Sequence, residues 1–423
     1  MKVAIVGSGI AGNVAAYLLR DEHEITVFEA AHYVGGHTNT VDVASSAGPL
    51  PVDTGFIVFN DRTYPQFNRL LETLGQPWVP TVMSFSVRCE ASGLEYNGAG
   101  LNALFAQRRN LFRPRFWRML RDIMRFNREA PALLAAGEQG VTLGAWLDEN
   151  AYGREFETHY LVPMAAAIWS AEPGSVRDMP AYFLVRFFLH HGLLQLSDRP
   201  TWRVVRGGSR EYVKLLTAGH RERIRLDCPV HRVTRDGDGV TIRSAAGRER
   251  FDAVFMACHS DQALALLGDA GPEEREVLGA IPYQQNEAVL HTDVSLMPRR
   301  RRAWAAWNYH LPAQPSATAT LTYNMNILQH LPVPEQYLVT LNSSEQVRED
   351  AILRRIRYDH PVFSRESVAA QARQSELNTN RTFFCGAYWR NGFHEDGVVS
   401  AIDAVRHFGE AMAGGQLHLR RAG

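Results

Sequence analysis

The stretch "VAIVGSGIAG", residues 3–12, decides the fold. Its β-branched apolar start reads as a buried parallel strand, and "IAGNVAAYLLR" then takes up helical spacing. Gly7, Gly9 and Gly12 stand between them in the GxGxxG spacing. The first glycine permits the tight turn, the second lets backbone approach a pyrophosphate, and the third lets helix and strand pack closely. A second strand, "EITVFEA", follows and ends on Glu29. Its carboxylate would accept both hydroxyls of an adenosine ribose and repel a 2'-phosphate, which disfavours NADP. The predicted unit is a βαβ start to an α/β domain that holds a dinucleotide, with the anion at a helix N-terminus.

Working outward, the 423 residues balance 45 basic against 45 acidic side chains, so no global charge favours nucleic acid. Lys2 and Lys214 are the two lysines of the chain, and arginine supplies nearly all the positive charge. Cys89, Cys228, Cys258 and Cys385 form neither a CxxC nor a metal-ligand spacing, which predicts a reduced, cytoplasmic protein without a metal. Glycines interrupt the apolar start, so it reads as a strand and turn rather than a signal peptide. No segment reaches the roughly 18 apolar residues of a membrane span. Strand and helix alternate first, residues 101–196 read as helix, and 223–268 and 286–342 return to strands.

Seven segments lie in the order of a known superfamily: "VAIVGSGIAG", "VFEAAHYVGGH", "VDTGFIVFN", "VRGGSREYVKLL", "PVHRVTRDGDGVTI", "FDAVFMACHSDQALALL" and "FFCGAYWRNGFHEDGVVSAIDAV". Together they resemble the flavin-containing amine oxidase and phytoene desaturase superfamily. The resemblance implies FAD, held by a Rossmann-like, glutathione-reductase-type α/β domain interleaved with an α+β substrate domain. It implies FAD-binding parts at 1–60, 201–285 and 378–423, with substrate parts at 61–200, mainly helical, and 286–377, mainly sheet. Gly7, Gly9, Ile10, Ala11, Gly12 and Glu29 would hold the ADP half. Gly35, Gly36, His37, Thr38, Gly55 and Phe56 would follow, Val230 would meet adenine, and Gly386, Gly397 and Val398 would face the flavin. Two departures stand out. His37 replaces the usual arginine after the glycine pair, and neither lysine matches the one that holds a water at flavin N5 in many amine oxidases of the superfamily.

On the substrate side, Trp304, Trp307, Asn308, Tyr309, Tyr323, Met325 and Asn326 fall on neighbouring predicted strands. Period two sends Trp307 and Tyr309 to one face and Asn308 to the other. Trp307, Tyr309, Tyr323 and Trp389 are the predicted substrate-contacting residues, against the plainer reading of an aromatic core. Tyr309, His291 and Trp389 are the candidates for a catalytic role, with His310 and His394 as further titratable groups. Glu395 and Asp396 are adjacent, as helix-capping residues would be.

Residues 101–128 hold eight arginines and one acid, Asp122. Phe116, Met119, Leu120, Ile123 and Phe126 share one helical face, and Arg118, Arg121, Arg125 and Arg128 the opposite one, with Pro114 at the start. That pattern suits a core-packed helix with a solvated face. It also suits docking of residues 108–128 to an anionic membrane surface. The apolar run 182–196 would wall an acyl-chain tunnel.

"HTD", "LMP", "WNY", "TYNMN" and "GFHEDG" are similar to a bacterial amine-oxidase-like, FAD/NAD(P)-binding subgroup found with cyclopropane-fatty-acid-synthase-like methyltransferases. The resemblance implies a desaturase or oxidase of unsaturated or methyl-branched fatty acyl chains, free or in phospholipid, reoxidised by oxygen or a quinone. It implies a hydrophobic acyl substrate, a methyltransferase partner, no nucleic acid, and a place in the cytoplasm, peripheral to the inner membrane. A soluble amine oxidase and a non-catalytic FAD-bearing scaffold are the alternatives.

Overall fold

A computed structural model describes residues 1–137, 140–314, 319–379 and 381–413. A parallel five-stranded sheet runs in the order Ile224–Arg225, Glu24–Phe28, Lys2–Val6, Ala253–Met256, Thr382–Phe384. Its central strands are apolar because both faces are covered. Helices Ile10–Leu19 and His394–Ala413 cover one face, and Ala15, Ala16, Ala401 and Ala404 keep their packing close. The antiparallel meander Val230–Asp236, Gly239–Ser244, Gly247–Phe251 covers the other, and the Asp236 side chain accepts from the Asp238 and Gly239 amides at its first turn.

A second, seven-stranded sheet runs in the order Ile352–Pro361, Tyr283–His291, Leu338–Leu341, Thr320–Asn324, Trp307–Leu311, Phe85–Cys89, Leu94–Asn97. Here the structure departs from a simple division into helical and sheet parts. Two strands of the largely helical part, Phe85–Cys89 and Leu94–Asn97, complete this sheet. Helices Pro114–Glu129, Leu143–Glu149, Val162–Trp169 and Ala181–His190 pack on one side of it. Phe183, Leu184, Phe187 and Phe188 fill this core, packing with Trp169 and Phe363, so the run 182–196 builds packed interior where a tunnel wall was expected. Helix Pro114–Glu129 starts at its proline and buries Phe116, Met119 and Phe126, as its periodicity requires. Asp122, which reads as an exposed acid, is buried and accepts from the Gly153 amide.

Candidate functional site: a dinucleotide cradle beside an aromatic wall

Strand Lys2–Val6 delivers its chain into a turn in which Gly7 has φ +101°, a conformation that only glycine adopts without strain. A Cβ on Gly12 would collide with the Gly7 carbonyl oxygen, and one on Gly7 would reach within 2.8 Å of the Ala257 carbonyl. A Cβ on Gly9 would meet nothing within 4 Å. Gly9 is also the N-cap of helix Ile10–Leu19, and no side chain caps it. Open space and unpaired helical N–H groups at one point suit a pyrophosphate, so the cradle fits FAD. Gly35 and Gly36 pass directly over it: the Gly35 amide donates to the Ser8 carbonyl, and a Cβ on Gly36 would lie 3.2 Å from Gly9 Cα.

Glu29 is fixed at the end of its strand. The Ser8 amide and hydroxyl donate to one carboxylate oxygen at 2.9 and 2.6 Å, and the Ala31 amide donates to the other at 2.8 Å. The Cys228 amide donates to the Glu29 carbonyl, which brings Val230 alongside for an adenine.

Towards the flavin end, three distant parts of the chain meet. His394 Nε2 lies 3.0 Å from Thr38 Oγ1 and 2.8 Å from Tyr212 Oη, and its ring stacks on Phe56. Burial holds this imidazole well below its ordinary pKa, so it is neutral. Gly55 packs against the His37 carbonyl and the Tyr358 ring. Gly397, in the first turn of helix His394–Ala413, presses on Ile10, so the N-terminal ends of the two helices adjoin. Val398 packs its side chain into the core. The Gly386 amide donates to Ser400 Oγ, and a side chain at Gly386 would strike the Tyr388 ring. Positive helix ends suit the anionic reduced flavin.

Glu395 and Asp396 separate in role. Asp396 accepts from the Phe393 amide at the start of its own helix, whereas Glu395 accepts from the Gln66 and Phe67 amides and so caps the helix Pro65–Leu74. Burial raises Asp396 to about 7. Asp53, from the "VDTGF" segment, is buried and raised to about 6 by desolvation, while Thr40 and Ser209 hydrogen bonds pull the other way.

His37 faces away from any carboxylate. Its ring stacks on Tyr358 at 4.9 Å, with His360 at 5.3 Å and His259 at 6.3 Å. Burial, with the charge of His259, pushes His37 to about 4; burial, with the charges of His37 and His259, pushes His360 to about 3; and burial alone takes His259 to about 4. His37 Nε2 and His259 Nδ1 are buried without a protein partner, which leaves each for a hydrogen bond to a bound group.

On the seven-stranded sheet Trp307 pairs with Tyr323 and with Phe85 in register, and the Trp307 and Tyr323 rings meet edge to face at 5.3 Å. Both stay partly accessible and pack between the helical core and the core beneath the hairpin Thr40–Val43, Leu50–Asp53. Tyr309 shares their face but is buried in the helical core, and burial raises its hydroxyl pKa. Asn308 turns to the opposite face, where it bonds Ser86, Ala305 and Thr322.

Trp389 packs in the core with Phe384, Ala370 and Leu377, and its indole Nε1 is buried without a hydrogen-bond partner. Two expectations need correction. His291 is fully buried, with Nε2 on Thr340 Oγ1 at 2.7 Å and Nδ1 accepting from the Asp293 amide, so neither nitrogen is free to take a substrate proton. Tyr309, buried with a raised pKa, is equally unsuited to act as a base. Sequence reasoning missed Phe393, which precedes helix His394–Ala413, stacks on Phe187 at 5.2 Å and packs against both the helical core and the core of the five-stranded sheet. It also missed Tyr212, His259 and His360, which no local pattern marks.

A family described as flavin containing amine oxidoreductase matches residues 10–292. A Mycobacterium tuberculosis protein that carries the name flavin-containing monoamine oxidase AofH is 29% identical over 275 residues, 63% of this chain. The chain spans 59% of that relative's length. Among solved structures, cyclohexylamine oxidase from Brevibacterium oxydans is similar at a TM-score of 0.69 and 17% identity, covering 97% of this chain and 99% of its own. The fatty acid isomerase from P. acnes that produces CLA is similar at 0.66 and 15%, covering 96% and 98%.

Proposed function

Because the chain belongs to the flavin-containing amine oxidoreductase family, a family of FAD-dependent oxidoreductases, we propose that it desaturates or oxidises a fatty acyl chain, unsaturated or methyl-branched, free or within a phospholipid. The observation that carries this reading is the wall formed by Trp307 and Tyr323: partly accessible, aromatic, and set between two apolar cores. Both lysines lie elsewhere. Lys2 is in the first strand, over the Phe251 ring, and Lys214 pairs with Glu211 on an outer helix. The wall therefore lacks the amine that many amine oxidases of the superfamily place at the flavin. The fold also carries a fatty acid isomerase, which supports acyl chemistry on this scaffold.

In the proposed reaction, Gly9 and the helix N-terminus above it hold the pyrophosphate, Glu29 holds the ribose, and His394, fixed by Thr38 and Tyr212, positions the flavin end. FAD, when bound, would supply a hydride acceptor at N5 and a route for the electron pair to oxygen or a quinone. Trp307 and Tyr323 orient the chain and exclude bulk water. One carbon loses hydride and its neighbour a proton, the C=C bond forms between them, and water takes the proton, since His291 is committed to Thr340 and Asp293.

The test is anaerobic mixing of the holoenzyme with acyl lipids or with polyamines and aryl amines. Bleaching of the flavin by acyl lipid, with acyl chains two mass units lighter in lipid extracts, supports the reading. Bleaching by an amine alone overturns it in favour of an amine oxidase, the reading that the identity to the monoamine oxidase-named relative favours. No bleaching by any donor, with a methyltransferase co-purifying, favours a scaffold.

A further inference from the structure

We propose that the face built from Leu101, the turn Arg108–Phe112 and the helix Pro114–Glu129 seats on an anionic phospholipid bilayer, and that a cavity at the foot of the helix receives one acyl chain from it. No helix among the described residues is long and apolar enough to cross a membrane, so the contact is interfacial.

Exposed apolar side chains concentrate here. Phe112 is 86% exposed and Leu101 77%, and Leu111, Trp117 and Met124 are exposed on the same stretch. Single exposed apolar residues need no explanation, but a cluster of them does. Trp117, Arg121, Met124 and Arg128 fall along one side of the helix, so large apolar groups alternate with guanidinium groups at the surface. Five of the eight arginines of residues 101–128 pair with three carboxylates, Asp122, Glu129 and Glu155, of which Asp122 is buried, and Arg108, Arg109 and Arg113 bond neutral groups. Arg115, Arg121 and Arg128 keep most of their side chains in water. This excess of cations complements anionic headgroups, while the apolar tips enter the headgroup region.

The cavity supplies the second half. It encloses about 770 Å³, within the range of roughly 300–1,000 Å³ of small-molecule sites. Leu94, Phe116, Met119 and Leu311 give it apolar walls, and three guanidinium groups, Arg113, Arg115 and Arg154, line it with one carboxylate, Glu155, and His159. Phe112 contributes both to the lining and to the exposed patch, so the opening lies on the docking face. Apolar walls beside guanidinium groups match an acyl chain that ends in an anionic group. A nucleic acid would use the arginines and leave the cavity and Phe112 unexplained. The acyl occupant rests on the lipid reading above; the docking of the surface does not.

The experiment is co-sedimentation of the holoenzyme with vesicles of phosphatidylcholine alone or with added phosphatidylglycerol. Binding is expected to the phosphatidylglycerol vesicles only, to fall as salt rises, and to drop about tenfold or more in Phe112→Asp and in an Arg115→Glu, Arg121→Glu double variant, with flavin absorbance and melting unchanged. Equal binding to both vesicles, no binding to either, or undiminished binding of Phe112→Asp overturns the docking. Ser92→Trp, which fills the cavity, is expected to keep vesicle binding and slow the uptake of a fluorescent acyl lipid; unchanged uptake overturns the acyl site. Bleaching by detergent-dispersed acyl lipid without vesicle binding would sink the docking and leave the substrate reading standing. Vesicle binding without bleaching by any acyl lipid would do the reverse.

Discussion

The dinucleotide cradle and the aromatic wall of Trp307 and Tyr323 are specified differently. In the cradle, residue type follows from backbone geometry: Gly7 by its φ, Gly12 by the carbonyl it touches, Gly9 by the space it leaves. In the wall, Trp307 and Tyr323 are set by pairing across strands, and several side chains of similar size would satisfy the same register. Cradle positions thus tolerate almost no substitution, whereas wall positions can vary with the substrate.

The sharpest way to break this contrast is Gly12→Ala. The new methyl group collides with backbone, so the apoprotein is expected to lose about 1–3 kcal/mol of stability and to retain no FAD, read by thermal melting and by flavin absorbance after gel filtration.

Acid strikes the cradle next, because His37, His259 and His360 are all held neutral there. Below pH 6.5 the unfolded chain binds protons that the folded state refuses down to about 4, so apoprotein stability is full above 6.5 and falls as pH drops towards 4. Asp396 and Asp53, raised to about 7 and about 6, act in the opposite sense over part of that window and offset some of the loss. The histidines outnumber them, so the melting temperature is expected to fall between pH 6.5 and 4. A rise on acidification would mean that the carboxyl groups dominate.

Gly9→Val separates ligand space from packing. No neighbour lies within reach of its Cβ, so apoprotein stability should change by no more than about 0.5 kcal/mol, while FAD affinity falls by roughly tenfold or more as pyrophosphate space is filled. Equal losses of stability and affinity would show that the open space at Gly9 is structural.

The smallest effect is expected at the wall. Trp307→Ala should leave the flavin spectrum intact and lower kcat/KM for an acyl substrate by about tenfold, roughly 1.4 kcal/mol. An unchanged kcat/KM would move the substrate away from this ring.

The same contrast explains what could be read in advance. The glycine spacing and Glu29 lie within thirty residues, and their geometry is local, so they were legible in the sequence. The meeting of Thr38, Tyr212 and His394, and that of His37, His259 and His360, depend on chain closure across more than 170 residues. No periodicity encodes such encounters. His291 misled because its partner, Thr340, arrives from another strand.

The parallel sheet carries a consequence for biosynthesis. Its edge strand, Thr382–Phe384, and the helix that lies against Ile10–Leu19 are among the last parts of this sequence to be made, although they complete a cradle begun by the first forty residues. A nascent chain can form the glycine turn early, but it lacks half the walls of the cofactor site until residue 400 has emerged. Until Thr382–Phe384 has been made, the edge of strand Ala253–Met256 stays unpaired and open to wrong pairing.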